Sequence, residues 1–163
     1  MFIIFKGFEL ISMRIMLDHP LVNAVIRFDG ERILGVSLSG DHDDRISEGV
    51  PEFVRETVLK MERLLDGEMV EFDLSRVDLS VCTPYQLRVL RVVSGIPWGS
   101  TMSYGELAEA AGGSPRSAGS ALAANPFPII IPCHRVIRSD GSPGGYQGGT
   151  ELKRILLKKE GAL

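Results

Sequence analysis

The chain has 163 residues, of which 44% are hydrophobic and 24% are charged, and its formal net charge is −3. These values are ordinary for a globular protein, so they exclude a disordered chain and a protein that coats nucleic acid by bulk charge attraction. No stretch reaches the roughly 18 apolar residues of a membrane-spanning helix. The apolar start, residues 1–5, is too short for a signal peptide, so we expect a cytoplasmic protein.

The chain begins with a pattern typical of antiparallel strands. Residues 9–18 and 22–38 alternate between apolar and polar side chains, which predicts two strand segments. Asp29-Gly30 interrupts the second segment and is a strong hairpin signal, because both residue types tolerate positive φ. We therefore predict an antiparallel sheet at the start of the protein.

One helix is predicted after this sheet. Residues 41–48 are acidic and indicate a loop, and a helical stripe of apolar residues then runs over 51–67, from a proline to a glycine. Residues 69–74 alternate again and are predicted to return to the sheet, and residues 75–82 to form a linker. We expect residues 1–78 to be an N-terminal α+β domain.

The C-terminal half, residues 79–163, is predicted to be a second domain built of short helices with strong caps. Two pairs fit the capping box, in which a hydroxyl and a Glu or Gln side chain satisfy free N–H groups reciprocally, and one Ser-Pro pair fits a helix start: Thr83 with Gln86, Ser103 with Glu106, and Ser114-Pro115. Residues 103–111 and 114–124 have the lengths of a helix-turn-helix. An amphipathic helix over 151–160 closes the chain.

The second helix of this motif carries almost only small side chains. A helix that reads the major groove normally carries long polar side chains that reach base edges. Two interpretations remain open. The helix packs tightly inside the protein, or it is slim enough for the minor groove of DNA, with Arg116 as its one long probe.

The charges favour an anionic partner for the C-terminal half. Residues 1–82 carry nine basic and sixteen acidic side chains, a net charge of −7, whereas residues 83–163 carry nine basic and five acidic, a net charge of +4.

The chain has two cysteines, Cys82 and Cys133, which are too few and too far apart for a disulfide scaffold or a paired-cysteine zinc site. At least one of them is therefore free to be a packing residue or a nucleophile.

Cys133 is the candidate nucleophile. A reactive cysteine needs a neighbouring base or positive field, and His134 and Arg135 follow it directly. Adjacent side chains of an extended segment point to opposite faces, however. From the residues alone, a buried packing cysteine remains an open alternative.

Residues 129–136, Ile-Ile-Ile-Pro-Cys-His-Arg-Val, resemble the active-site signature of the O6-alkylguanine-DNA alkyltransferases (methylated-DNA-protein-cysteine methyltransferases). Further matches stand at the spacing of that family: Ser103-Tyr104, Arg116, Asn125-Pro126, Gly145-Tyr146-Gln147-Gly148-Gly149 and Glu160-Gly161. They cover residues 83–163, whereas the N-terminal half resembles the family only in its order of elements. The resemblance implies an α+β fold, with a ribonuclease H-like N-terminal sheet and helix and a winged-helix-like C-terminal domain.

The resemblance also implies DNA repair. The protein would flip O6-alkylguanine out of the duplex and transfer the alkyl group irreversibly to its own Cys133. His134 would take the thiol proton through a bound water, and Glu160 would orient that histidine. Asn125 would brace the turn between the DNA-binding helix and Cys133, and Tyr104 would donate a hydrogen bond to N3 of the departing guanine. The thioether product implies one transfer per molecule and no cofactor.

The implied partner is double-stranded DNA, bound through its minor groove by a monomer. Arg116 would fill the space of the extruded nucleotide, and Tyr146 would wall the pocket, with Gly148 and Gly149 letting its loop bend. The other implied contacts are Ser117, Ala118, Gly119 and Arg135. The family commonly has serine at the position of Gln147, so this chain lacks a hydroxyl donor there but keeps the backbone N–H.

Each implied role has a structural alternative. From the residues alone, His134 would be a buried histidine with satisfied hydrogen bonds, and Glu160 a solvated carboxylate at a helix end. Asn125 would simply end its helix, Tyr104 would be a half-buried aromatic residue, and Arg116 a surface arginine.

We predict no metal, since the N-terminal half offers only His19, His42 and Cys82 as ligands.

Three other functions fit the sequence less well. Cys133 argues against an alkyltransferase-like protein that binds damaged DNA without repairing it, because such proteins carry another residue at that position. The small-residue helix fits a helix-turn-helix regulator poorly. A cysteine hydrolase would need an oxyanion signature, and none is evident.

Overall fold

The computed structural model describes residues 13–38 and 49–163, and their fold is α+β, as predicted. Three strands form an antiparallel sheet in the order β1-β2-β3: Met13–His19, Val22–Phe28 and Ile33–Leu38. The predicted strand start at residues 9–12 and the predicted loop at 41–48 lie outside the described residues. None of the helices in the described part of the chain has the length and apolar character of a membrane span.

The predicted hairpin at Asp29-Gly30 is present between β2 and β3. The Asp29 carboxylate accepts hydrogen bonds from the backbone N–H groups of Glu31 at 2.8 Å and Arg32 at 2.6 Å. Gly30 does not adopt a positive φ. The turn is therefore closed by the aspartate side chain rather than by a left-handed backbone.

The predicted helix after the sheet is α1, Glu52–Asp66. It begins directly after Pro51 and ends at Gly67, whose φ of 96° places it in the left-handed region that glycine adopts without strain. Four of its side chains are buried in the core: Val54, Met61, Leu64 and Leu65.

The predicted return of residues 69–74 to the sheet is wrong. The chain there is irregular and then forms two 3-10 turns, Leu74–Arg76 and Leu79–Val81. The outer edge of β3 is already occupied, because the Val36 N–H donates to Pro126 O at 2.8 Å and Ile33 O accepts from the Asp78 N–H at 2.8 Å. Residues distant in sequence thus take the positions that an added strand would need.

The C-terminal half is helical, as predicted. Its elements in chain order are α2 Pro84–Ser94, β4 Met102–Ser103, α3 Tyr104–Ala111, α4 Pro115–Ala123, a 3-10 turn Cys133–Arg135, β5 Val136–Ile137 and α5 Thr150–Lys159. Helices α3 and α4 form the predicted helix-turn-helix. Strands β4 and β5 pair in parallel, with Met102 opposite Val136, so the start of α3 is tied to the segment that leaves Cys133.

Helix caps in this half follow the predicted pattern with one exception. Ser103 and Glu106 form the full capping box at α3, and Ser114 caps α4. At α2 the Thr83 hydroxyl accepts from the Gln86 N–H, but the Gln86 side chain does not return to Thr83. The Gln86 amide reaches across to the end of α4 instead.

Candidate active site

A cavity of about 540 Å³ opens beside the helix-turn-helix. The start of α3, the exposed side of α4, Cys133 and the loop 144–147 line it. Six of the predicted site residues meet there: Tyr104, Arg116, Gly119, Cys133, Tyr146 and Gln147. The cavity therefore joins a nucleophile to the surface of the candidate DNA-binding helix.

Cys133 is held at the base of this cavity by a tightly folded segment. Its backbone N–H donates to Ile131 O at 2.7 Å, and the Ile131 N–H donates to Phe127 O at 2.9 Å. Ile129 has a φ of 73°, a strained value for a β-branched residue, and is fully buried. Such strain persists only where the surrounding packing fixes the backbone. The buried packing around Ile129 therefore holds the segment that leads to Cys133 in one conformation.

The Cys133 side chain is 5% exposed. Burial raises the pKa of its thiol, while a hydrogen bond from the Asn125 side chain and the charge of Lys153 act in the opposite direction. The thiol is therefore protonated at rest, and transfer needs a group that takes its proton as the substrate arrives.

His134 is fully buried and lies against Glu160, with 2.7 Å between Nε2 and Oε1. Burial lowers the pKa of His134 against the opposing effect of Glu160. Burial alone would raise the pKa of Glu160, but hydrogen bonds from His134 and Arg135 hold it below its usual value. An ionised carboxylate can only accept, so the proton of the neutral imidazole is on Nε2.

The second ring nitrogen of His134, Nδ1, has no hydrogen-bond partner among the described residues. In this tautomer Nδ1 carries a lone pair. The histidine is thus a neutral base whose orientation is set by a buried carboxylate.

Arg135 was predicted to contact DNA, but the structure places it elsewhere. Its guanidinium is buried and donates to both oxygens of Glu160, at 2.8 and 3.1 Å, and to Ile96 O at 2.7 Å. It also lies 5.7 Å from the centre of the Trp98 ring. With these bonds it neutralises Glu160 inside the fold and does not line the cavity.

Asn125 lies between the end of α4 and the Cys133 segment. It is buried, its side-chain oxygen accepts from the Phe127 N–H at 3.0 Å, and its amide donates to Ile131 O at 3.3 Å. A helix-ending asparagine would need only the first bond. The second one ties the helix end to the segment that precedes Cys133.

Tyr104 is half-buried at the first position of α3, facing Gly119 of α4 across the cavity. A Cβ atom on Gly119 would lie 3.7 Å from the Tyr104 ring. At Gly144 a Cβ atom would lie only 3.2 Å from the Tyr104 hydroxyl, and the φ there is +74°. Glycine is therefore required at position 144 for the loop to pass the tyrosine.

The predicted DNA contacts of α4 divide between surface and core. Arg116 is exposed at the start of the helix, whereas Ala118 is fully buried and faces away from the surface. The Ser117 hydroxyl accepts from the Ser114 N–H at 2.9 Å and lies 2.9 Å from the Tyr85 hydroxyl. The resemblance implied DNA contacts at four consecutive positions, residues 116–119, but a helix exposes only some of four consecutive side chains on one face.

Tyr146 walls the cavity, with its hydroxyl buried and its ring edge-on to His134 at 6.3 Å between centroids. Burial raises the pKa of this phenol well above its usual value, so it stays protonated. A Cβ atom on Gly148 would lie 2.5 Å from Leu152 Cδ2. Gly148 thus allows close packing on α5, and the bend itself lies at Gly149, with a φ of 91°.

Lys153 belongs to the site, although the sequence analysis did not select it. It is 1% exposed, its ammonium donates to Gly145 O at 3.2 Å, and it lies 5.7 Å from the centre of the Tyr104 ring. Burial lowers the pKa of Lys153 to about 8. A signal was present, because Lys153 stands four residues before Leu157 on the buried face of α5.

Within residues 13–38 and 49–163, no group of three or more His, Cys, Asp or Glu side chains could hold a metal ion. His42, one of the three candidate ligands of the N-terminal half, lies outside these ranges.

A helix-turn-helix beside a cavity that contains a buried cysteine, next to a neutral histidine held by a carboxylate, is the site of a helix-turn-helix protein with a candidate nucleophilic thiol. Residues 84–162 match the DNA-binding domain of 6-O-methylguanine DNA methyltransferase. The chain belongs to the methylated-DNA–protein-cysteine methyltransferase family.

Two curated relatives carry that family name. The protein of Methanothermobacter thermautotrophicus is 49% identical over 146 residues, which are 89% of this chain and 83% of the relative. The protein of Metallosphaera sedula is 41% identical over 104 residues, 64% of this chain and 65% of the relative.

Solved structures of the family have the same fold. The Mycobacterium tuberculosis OGT in complex with DNA has a TM-score of 0.77 and 31% identity, covering 91% of this chain and 92% of that one. The Mycobacterium tuberculosis O6-methylguanine methyltransferase gives 0.72 and 32% identity, with 93% of each chain covered.

Proposed function

We propose that this protein repairs O6-alkylguanine in double-stranded DNA by transferring the alkyl group to Sγ of Cys133. One observation carries the proposal. A buried thiol lies at the base of a cavity beside α4 and directly before a neutral histidine that a buried carboxylate orients. This arrangement serves a thiol that must react with a group delivered from the surface of the helix-turn-helix.

Duplex DNA is the proposed partner, bound at the minor groove through α4. A methyl group on O6 of a stacked guanine cannot reach a buried sulfur, so the nucleotide must leave the stack and enter the cavity. The cavity-facing side of α4 carries Gly119 and Ala123, which allow close approach, and Arg116 is the long side chain at its start. The Mycobacterium tuberculosis relative crystallised with DNA supports this partner.

The chemical step uses the residues around the thiol. His134 takes the Cys133 proton on Nδ1 through a bound water, and Glu160 stabilises the imidazolium that forms. The thiolate sulfur attacks the alkyl carbon, the carbon–oxygen bond breaks, and its electron pair stays on O6 of the guanine. Tyr104 donates a hydrogen bond to N3 of the leaving base, and the charge of Lys153 opposes the cost of a buried thiolate.

The product is a thioether, and the proposed site offers no group that would cleave it. Each molecule is therefore consumed by one transfer. The proposal includes action as a monomer in the cytoplasm, without a metal or cofactor.

The division of the chain at residues 78 and 79 is part of this proposal. Every proposed site residue lies in 79–163. The N-terminal domain, residues 1–78, supports the site from outside, since the Val36 N–H bonds to Pro126 O and Leu38 lies close to Gly148.

Intact-mass measurement after incubation with a duplex that contains one O6-methylguanine tests the proposal. The protein is expected to gain the mass of one methyl group in place of one hydrogen, and peptide mapping is expected to place it on Cys133. Cys133→Ala should gain no mass and still bind the duplex, and Cys82→Ala should react as the wild type does. Repeated turnover, or a methyl group on Cys82, would overturn the assignment.

A further inference from the structure

We propose that Gln147 sets the width of the alkyl pocket by tying one wall of the cavity to the other. The two walls are α4 and the pocket loop, defined here as residues 144–148. The inference rests on the proposed function and adds a residue that determines which alkyl groups the cavity admits.

The Gln147 amide makes two hydrogen bonds to the end of α4. Its Nε2 donates to Ala123 O at 3.2 Å and to Asn125 O at 2.7 Å. The last carbonyls of a helix have no intrahelical partner, so a side-chain donor is well placed there. With both bonds made, the two N–H groups of the amide are occupied by the helix end and do not serve as donors to a base in the cavity.

These bonds complete the attachment of the pocket loop. On its other side the loop is held by α5, through Lys153 Nζ to Gly145 O and through the close packing of Gly148 on Leu152. Within the described residues, the Gln147 bonds are the hydrogen bonds that join the loop to the end of α4. Gln147 and Ala123 both line the cavity, so the bond between them fixes its span.

The size of the alkyl group decides whether this attachment matters. A methyl group adds little to the guanine, and the cavity can hold it with the loop in place. A benzyl group fills more of the space between the two walls than a methyl group does. Under this proposal it is accommodated by a movement of the pocket loop away from α4, and that movement would break both Gln147 bonds.

Gln86 offers a matched control. Its amide holds the same helix end from the opposite side, with Nε2 donating to Ala124 O at 2.8 Å and to Ala121 O at 3.4 Å. Gln86 does not line the cavity that contains Cys133. It therefore has the same chemistry on the same helix end without a connection to the pocket loop.

The experiment compares single-turnover transfer rates of full-length wild type, Gln147→Glu and Gln86→Glu on identical duplexes with O6-methylguanine or O6-benzylguanine. Glutamate keeps the size of glutamine but cannot donate to carbonyl oxygens. Since two hydrogen bonds are lost, Gln147→Glu is expected to raise the ratio of benzyl to methyl transfer by about tenfold. Gln147→Ser should do the same, and Gln86→Glu should leave the ratio at the wild-type value.

The outcomes separate the inference from the proposed function. If both rates fall in parallel in Gln147→Glu, the side chain acts on the guanine or on the fold, and the inference is wrong. An equal rise of the ratio in Gln86→Glu would assign the effect to the helix end rather than to the pocket loop and would also overturn it. Wild-type protein that transfers neither group refutes the proposed function itself.

Discussion

Replacing Lys153 by methionine exchanges a buried ammonium group for an apolar side chain of similar length. The pKa of Lys153 falls from 10.5 to about 8 in the folded protein. At about 1.36 kcal/mol per unit, the charged side chain destabilises the fold by about 3 kcal/mol at neutral pH. The bond to Gly145 O and the contact with the Tyr104 ring offset about half of this. We therefore expect Lys153→Met to be more stable by about 1–2 kcal/mol.

The same replacement is expected to slow methyl transfer. The charge of Lys153 lowers the pKa of the Cys133 thiol against the effect of burial. Each unit by which that pKa rises reduces the thiolate fraction at neutral pH by about tenfold. Greater stability combined with a lower transfer rate is the pattern of a residue kept for function.

Urea unfolding and single-turnover methyl transfer at pH 7 test both effects, with Lys158→Met, an exposed lysine of the same helix, as control. The stability advantage also has a defined pH dependence. The folded protein binds the Lys153 proton less tightly than the unfolded chain, so the destabilisation is complete below pH 8 and disappears as the pH rises from 8 to 10.5. A variant that is less stable than wild type and transfers at the same rate would refute this reasoning.

Two further variants address the DNA contact and the buried carboxylate. Arg116→Ala is expected to slow transfer more than it weakens binding to undamaged duplex, because a side chain that replaces the extruded base acts only when a base leaves the stack; equal effects in rate and binding assays would make Arg116 a simple phosphate contact. Glu160→Gln is expected to destabilise the protein by about 3–5 kcal/mol, since the buried Arg135 guanidinium loses the charge that compensates it. It is also expected to slow transfer, because a neutral amide does not stabilise the imidazolium that His134 becomes. In the wild-type protein, folding lowers the pKa values of both His134 and Glu160. The free energy of unfolding of the wild type should therefore decrease as the pH falls below 6.5 and again below 4.5. A urea midpoint that is equal or higher at pH 4 than at pH 7 would contradict this.

Local signals predicted the elements well. Helix α1 begins after Pro51 and ends at Gly67 as the sequence indicates, because both residues act through their own backbone geometry. The capping box of Ser103 and Glu106 is likewise formed within four residues. The turn at Asp29 is present, although its aspartate closes it rather than its glycine.

The features that the sequence did not predict depend on contacts between residues that are distant in the chain. Residues 69–74 have the alternation of a strand, but the edge they would join is taken by Pro126 and Asp78. Gln86 fits a capping box and bonds to α4 instead. The residue pattern of one segment does not show that another segment of the chain already occupies the sheet edge or offers the side chain a different hydrogen-bond partner.

The site shows the same limit. The resemblance selected His134 and Glu160, and the structure brings them to 2.7 Å of each other. It also selected Arg135 as a DNA contact, whereas the Arg135 guanidinium pairs with Glu160 in the interior. Lys153 was overlooked because a lysine on an amphipathic helix is usually solvated, although its spacing to Leu157 places it on the buried face of α5.

The bond between the Val36 N–H and Pro126 O limits how the protein can be engineered. Pro126 follows Asn125, so the third strand of the sheet supports the turn that holds Cys133. Leu38, at the end of the same strand, lies against the pocket loop at Gly148. A shortened alkyl-acceptor tag made of residues 79–163 alone would lose both supports. The N-terminal sheet should therefore be retained in any fusion that is meant to label itself.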